Sequence, residues 1–207
     1  MMKKIVFSAA IAASLALVSC GETNVKSETV TNAADSTKTV DSVFTVNEAE
    51  WELRDLTGLD SLKQISGFSV KLPKGAIIEK DFLDLKVLFP NAHEYVLEIR
   101  GQEALRPLKE YVTNQRLLEV DSARSATNDT KLIAEDANGY IYSSQVKAED
   151  GSLIDKKPIV HFTYFILKGD QLIRIEDAHA GVYDDKMANE ENTKKIYSII
   201  SSSAAFK

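Results

Sequence analysis

The sequence predicts an α+β domain over residues 47–207, an antiparallel β-sheet with helices packed on one face, preceded by a signal peptide (1–19) and a disordered tether (20–46). Three observations predict the fold. Pro158 to Lys168 and Gln171 to Asp177 flank Gly169-Asp170 with strand-like alternation, the pattern of a hairpin with a two-residue loop. The order of elements, helix, strands, helix, strands, helix, lacks the regular alternation that a parallel sheet demands. The last periodic segment places Met187, Ile196, Ile199 and Ile200 on one side of a helix, with Glu190-Lys194 and Glu191-Lys195 pairs four residues apart, so it is amphipathic and able to cover a sheet.

Taken in order, Trp51, Leu56, Leu59, Leu62 and Ile65 recur mostly at three-residue spacing, which predicts a first helix over 48–65, weakened at Thr57-Gly58 and ended by Gly67. Phe68, Val70 and Leu72 alternate with Ser69 and Lys71 as a half-buried strand does, and Pro73-Lys74-Gly75 turns the chain. Residues 76–78, 85–89 and 94–99 read as strands of a meander that Gly101 closes. Leu105, Leu108, Val112 and Gln115 or Leu118 predict a second helix that begins or kinks at Pro107. After the polar loop 122–130, residues 131–136 and 140–146 form a hairpin in which Asn138-Gly139 supplies the positive φ angles of a tight turn. In the last hairpin the short loop sets Lys168 opposite Gln171, Ile166 against Ile173, Tyr164 against Ile175 and Phe162 beside Asp177. That face is core. The other, with His161, Thr163, Phe165 and Leu167 opposite Ala178, Glu176, Arg174 and Leu172, is mixed.

Composition narrows the function. The chain has 207 residues, 44% hydrophobic and 27% charged, enough for one domain with appendages. Its net charge of −6 becomes −8 once Lys3 and Lys4 leave with the signal peptide, which gives no electrostatic footprint for nucleic acid and no charge-driven adhesion to anionic lipid. The candidate metal ligands are Glu176, Asp177 and His179, with His161, Asp184 and Asp185 nearby, but alternation sends Glu176 and Asp177 to opposite faces. His93 stands apart after a turn. There is no Gly-x-Ser-x-Gly elbow and no phosphate-cradling glycine pattern, and Ser201-Ser202-Ser203 falls at a helix terminus. The expectation is therefore no catalytic residue, no metal and no cofactor. An aromatic group, Tyr140, Phe162, Tyr164 and Phe165, offers the alternative of a small-ligand site between sheet and helices, and an envelope hydrolase is the more remote alternative.

Lys3-Lys4 supplies a positive start, and the apolar run from Ile5 to Val18 is too short for a bilayer span but suits a signal peptide. Leu17-Val18-Ser19-Cys20, followed by Gly21, resembles the lipobox of bacterial lipoproteins. The resemblance implies lipidation of Cys20, cleavage before it and a further acyl chain on the new amino group, hence a protein held in a membrane of the cell envelope, with the outer membrane the favoured address. Cys20 is the sole cysteine, so no thiol remains for catalysis or a disulfide. The stretch from Gly21 to Val46, rich in Thr, Ser, Asn, Glu and Lys, has too little apolar surface to fold and would span about 28 Å as a flexible leash. Within it, Asp35-Ser36-Thr37 and Asp41-Ser42-Val43 resemble the O-glycosylation sequon of some Gram-negative envelope proteins. Anchor, leash and compact domain together imply an accessory role toward an envelope protein partner.

Gly67-Phe68-Ser69-Val70-Lys71-Leu72-Pro73 and Ile196-Tyr197-Ser198-Ile199-Ile200-Ser201-Ser202 resemble the two ends of PsbP/Mog1-type domains, over residues 66–206. The pattern departs from that family at Ala76, where an aromatic residue often follows the turn. The resemblance implies an architecture and no residue role, because that fold serves unrelated tasks.

Overall fold

A computed structural model describes residues 45–90, 92–122, 127–154, 157–179 and 187–207; of His93, Glu94 and His179 it describes the backbone only. Cys20, the signal peptide, the tether with its two sequons, and Asp184 and Asp185 lie outside the described residues. Among the described residues, ten strands and two α-helices follow in the order β1 (Trp51–Asp55), β2 (Phe68–Pro73), β3 (Ile77–Lys80), β4 (Asp84–Phe89), β5 (Ala92–Glu103), α1 (Leu108–Arg116), β6 (Asn128–Glu135), β7 (Gly139–Val146), β8 (Ile159–Lys168), β9 (Gln171–His179), α2 (Glu190–Ser203) and β10 (Ala205–Phe206). The α+β class is as expected.

Seven strands form one sheet in the order β3-β4-β5-β9-β8-β7-β6, every neighbouring pair antiparallel. The β8–β9 hairpin has the register expected, Lys168↔Gln171, Ile166↔Ile173 and Tyr164↔Ile175. Its loop works because Gly169 takes a φ of 63°, which a two-residue turn with glycine at its first position requires. On one face, Leu85, Val87, Leu97, Ile99, Phe162, Tyr164, Ile173 and Ile175 meet Ile196, Ile199 and Ile200 of α2 and the small sheet β1-β2-β10. On the other, Tyr140, Phe165 and Leu172 meet Val112 of α1 and Val120. The helices therefore cover both faces, not one. The mixed face of β8 is mixed because α1 and the turn after it cover part of it.

Three further expectations are corrected. Residues 48–65 are not a helix: a single 3-10 turn, Glu48–Glu50, leads into β1, and the chain then loops back to β2. The left-handed φ angles of Gly58 (66°) and Lys63 (54°) break any helix there, and the loop instead wraps around the Asp60 carboxylate, which accepts the backbone N–H groups of Gln64 (2.6 Å) and Ile65 (3.0 Å). Leu56 and Ile65, the inward points of that loop, imitate a helical stripe. β5 runs through Gly101 to Glu103 rather than stopping at it.

The third correction concerns Asn138-Gly139, where neither residue has positive φ. Asp136 makes the turn instead, its Oδ1 accepting the N–H groups of Asn138 (2.7 Å) and Gly139 (3.0 Å). Glycine is needed at 139 for closeness: a Cβ there would sit 2.1 Å from the Thr163 carbonyl oxygen. Gly139→Ala is expected to cost on the order of 3 kcal/mol of stability, since backbone must move to admit the methyl group, and denaturant titration would measure it.

The second helix starts after Pro107, as the ring demands, and runs on into a π-helical turn, Leu117–Asp121. Of its expected apolar stripe only Val112 is buried, while Leu105 and Leu118 are exposed. In α2 the Asn189 side chain caps the first turn by accepting the Asn192 N–H, and the Asn192 amide oxygen takes the Val46 N–H at 3.1 Å. Buried Ser69 Oγ, on β2, has no hydrogen-bond partner. Ser69→Ala should therefore be neutral or stabilise the protein by about 1 kcal/mol, read as an unchanged or raised denaturation midpoint.

Candidate functional site

Strand pairing carries one row of side chains across the sheet on the α1 side: Lys86, Glu98, Glu176, Thr163 and Tyr140, each opposite the next. Glu119, from the π-helical turn, completes it from above. Its Oε2 accepts the hydroxyls of Tyr140 (2.5 Å) and Thr163 (3.0 Å), and its Oε1 accepts the Gln115 amide (2.5 Å). A π turn suits this because the wider coil turns Glu119 and Val120 toward the sheet, where Val120 is buried and its carbonyl accepts the Thr130 hydroxyl at 2.6 Å. Burial and the neighbouring Glu119 push the Tyr140 hydroxyl well above its usual range, so it stays a donor.

Glu176 is the group out of balance in this row. Its side chain is 17% exposed and is paired with the Arg174 guanidinium at 2.8 Å. Burial, opposed by Arg174 and reinforced by Glu119, Glu98 and Asp177, pushes its carboxyl up to about 7 from 4.5. The folded state thus holds this proton more tightly than the unfolded chain. The resulting stability is fully present below pH 4.5 and is lost as pH rises through about 7. Glu176→Gln should flatten the stability profile across that window and stabilise the protein at pH 8 by roughly 2 kcal/mol, measured by denaturation at a series of pH values.

Beside this row, where the β8–β9 pairing stops at Thr163↔Glu176, the Asp177 side chain enters the gap between strands. Asp177 Oδ1 accepts the Phe162 N–H at 2.6 Å, and Oδ2 lies 3.0 Å from His161 Nδ1. The other ring nitrogen, Nε2, lies 2.9 Å from Ser144 Oγ, and the ring stacks on Tyr142 with centroids 4.9 Å apart and planes 24° off parallel. Of the candidate ligands expected near His161, Asp177 is in contact with the ring, while Thr163 is the residue opposite Glu176, as the expected register has it. Among the described residues no group of three or more His, Cys, Asp or Glu is arranged to hold a metal ion. The four aromatic residues considered for a ligand site are packing: Phe162 and Tyr164 meet Tyr197 edge-on, and Tyr140 and Phe165 lie in the second core. Ser144 was missed from sequence, where a serine in a strand carries no motif.

A second feature lies at one end of the sheet. Phe82 is 73% exposed, Leu83 40% and Leu62 46%; Phe82 and Leu83 precede β4, and Ser61 Oγ reaches the Asp81 carbonyl (3.5 Å), so the three apolar side chains emerge from adjoining loops. Trp51, at the start of β1, packs on Phe89 at the far end of β4, with ring centroids 5.8 Å apart. The chain therefore enters the domain about 17 Å, one strand length, from the apolar tip.

No family model matches this chain, and no curated protein matches it. Among solved structures, the solution structure of cyanobacterial PsbP (CyanoP) from Synechocystis sp. PCC 6803 is similar at 14% identity and a TM-score of 0.47, covering 81% of this chain and 99% of that one. The likeness is one of architecture.

Proposed function

We propose that this protein is a lipid-anchored accessory protein of the cell envelope, held by acyl chains on Cys20, whose domain binds a protein partner and performs no turnover of its own. The lipobox-like Leu17-Val18-Ser19-Cys20 supports the anchor, and the polar stretch behind it supports a leash that lets the domain reorient. The outer membrane is the favoured address. Among the described residues no helix is long and apolar enough to cross a membrane.

The observation that carries the partner-binding role is the apolar tip, Leu62, Phe82 and Leu83, placed away from the entry of the chain at Val46. Exposed apolar side chains gathered in one place mark contact surfaces more often than scattered ones do. A patch near the entry point would suit lipid; one a strand length away suits a partner reached over the leash. A photoreactive amino acid at position 82 is expected to give one discrete crosslinked product in cells, and Phe82→Asp should abolish its formation at unchanged protein level. A smear of adducts, or none, would remove the tip from the proposal. Cys20→Ala should shift the protein out of the membrane fraction.

A further inference from the structure

We propose that Ser144 is an activated nucleophile, its proton taken by His161 and that ring oriented by Asp177, and that Ser144 takes up one acyl group from a small ester in a single stoichiometric step, without turnover. The inference goes beyond the accessory role and stands on different residues, so failure of crosslinking at Phe82 leaves it intact, and the converse also holds.

Three adjacent strands each supply one member: Ser144 from β7, His161 from β8 and Asp177 from β9. The direction of the hydrogen bonds follows from the carboxylate. An Asp177 carboxylate can only accept: Oδ1 takes the Phe162 N–H, and Oδ2, 3.0 Å from His161 Nδ1, takes the proton that this nitrogen carries. With the proton of the neutral ring on Nδ1, Nε2 is an acceptor, and the Ser144 hydroxyl donates to it across 2.9 Å. The arrangement is also graded in exposure. The Asp177 side chain is 1% exposed and that of His161 13%, while Ser144 is only partly buried, so the orienting group is dry and the serine lies nearest to solvent. Tyr142, stacked on the imidazole, keeps the ring from turning away.

A hydrogen bond that merely joined strands would need none of this polarity. β7 and β8 are already registered by backbone pairing, Tyr142↔His161 and Ser144↔Ile159. What the side chains add is a base aimed at a hydroxyl, with a buried acceptor fixing its tautomer, which are the roles that activate serine on unrelated folds. In the reaction, Ser144 Oγ bonds to the ester carbonyl carbon as its proton passes to His161 Nε2. The carbon–oxygen bond to the alcohol then breaks, and the alcohol leaves with that proton.

The purified chain would be treated with a fluorophosphonate, a serine-directed probe whose phosphorus–fluorine bond breaks as the Ser144 oxygen bonds to phosphorus, fluoride leaving and the proton passing through His161 to solvent. Peptide mass mapping is expected to place the adduct on Ser144 in the native protein and not in the heat-unfolded one. Ser144→Ala should carry none, and His161→Asn should label about 100-fold more slowly. In a parallel arm, p-nitrophenyl acetate should acetylate Ser144 with release of one p-nitrophenolate for each acetyl group. Absence of a Ser144 adduct in the native wild type would overturn the proposal, as would equal labelling in native and unfolded chains. So would a folded His161→Asn protein, verified by circular dichroism, that labels at the wild-type rate. Labelling equal in the two states decides against the proposal even if the histidine variant does not fold.

Discussion

The pairing of β5 with β9 is the contact on which the rest of the molecule depends. It joins Tyr95 through Glu103 to Gln171 through His179, segments separated by the whole of α1, β6, β7 and β8. Without it the chain has two fragments of sheet, a meander and a set of hairpins, each with an open edge and half a core. With it, Leu97 and Ile99 lie beside Ile173 and Ile175 and the main hydrophobic cluster becomes continuous. The same pairing sets Glu98 opposite Glu176, so the closure that completes the apolar core also concentrates charge on the other face. A contact so distant in sequence is costly to form early, because loop entropy is lost before the pairing rewards it, and folding should be paced by this step.

The charge on that face is handled in three ways. Arg100 grips Asp84 through two hydrogen bonds, at 2.5 and 2.6 Å, which ties β5 to β4 at the sheet end. Glu119 fills both its oxygens with hydroxyl and amide donors, so it latches α1 to β7 and β8 without a cation. Glu176 pairs, among the described residues, with Arg174, and carries the remaining imbalance as a raised affinity for protons. Stability and site chemistry thus share one surface: the residues that hold α1 down also border the His161 relay.

Legibility from sequence followed locality. The β8–β9 register could be read because a two-residue loop leaves one pairing and parity does the rest, and α2 could be read because its apolar stripe and ion pairs agree. The first helix was misread because an irregular loop that turns inward at Leu56 and Ile65 has the same spacing as a helix. β10 gave no signal, being two residues that pair with β2 only because α2 delivers them there. The relay was out of reach for a related reason. Ser144 meets His161 through a long connection whose register no turn dictates, and Asp177 meets His161 only because the ladder ends one residue earlier.

The way the chain enters the domain has a mechanical consequence. Val46 is bonded to α2 through Asn192, and five residues later β1 begins its antiparallel run along β2, Trp51↔Pro73 to Asp55↔Ser69. A pull arriving from the N-terminal side and resisted at the apolar tip would act along β1. It would load the β1–β2 hydrogen bonds together, in shear, instead of peeling them one at a time.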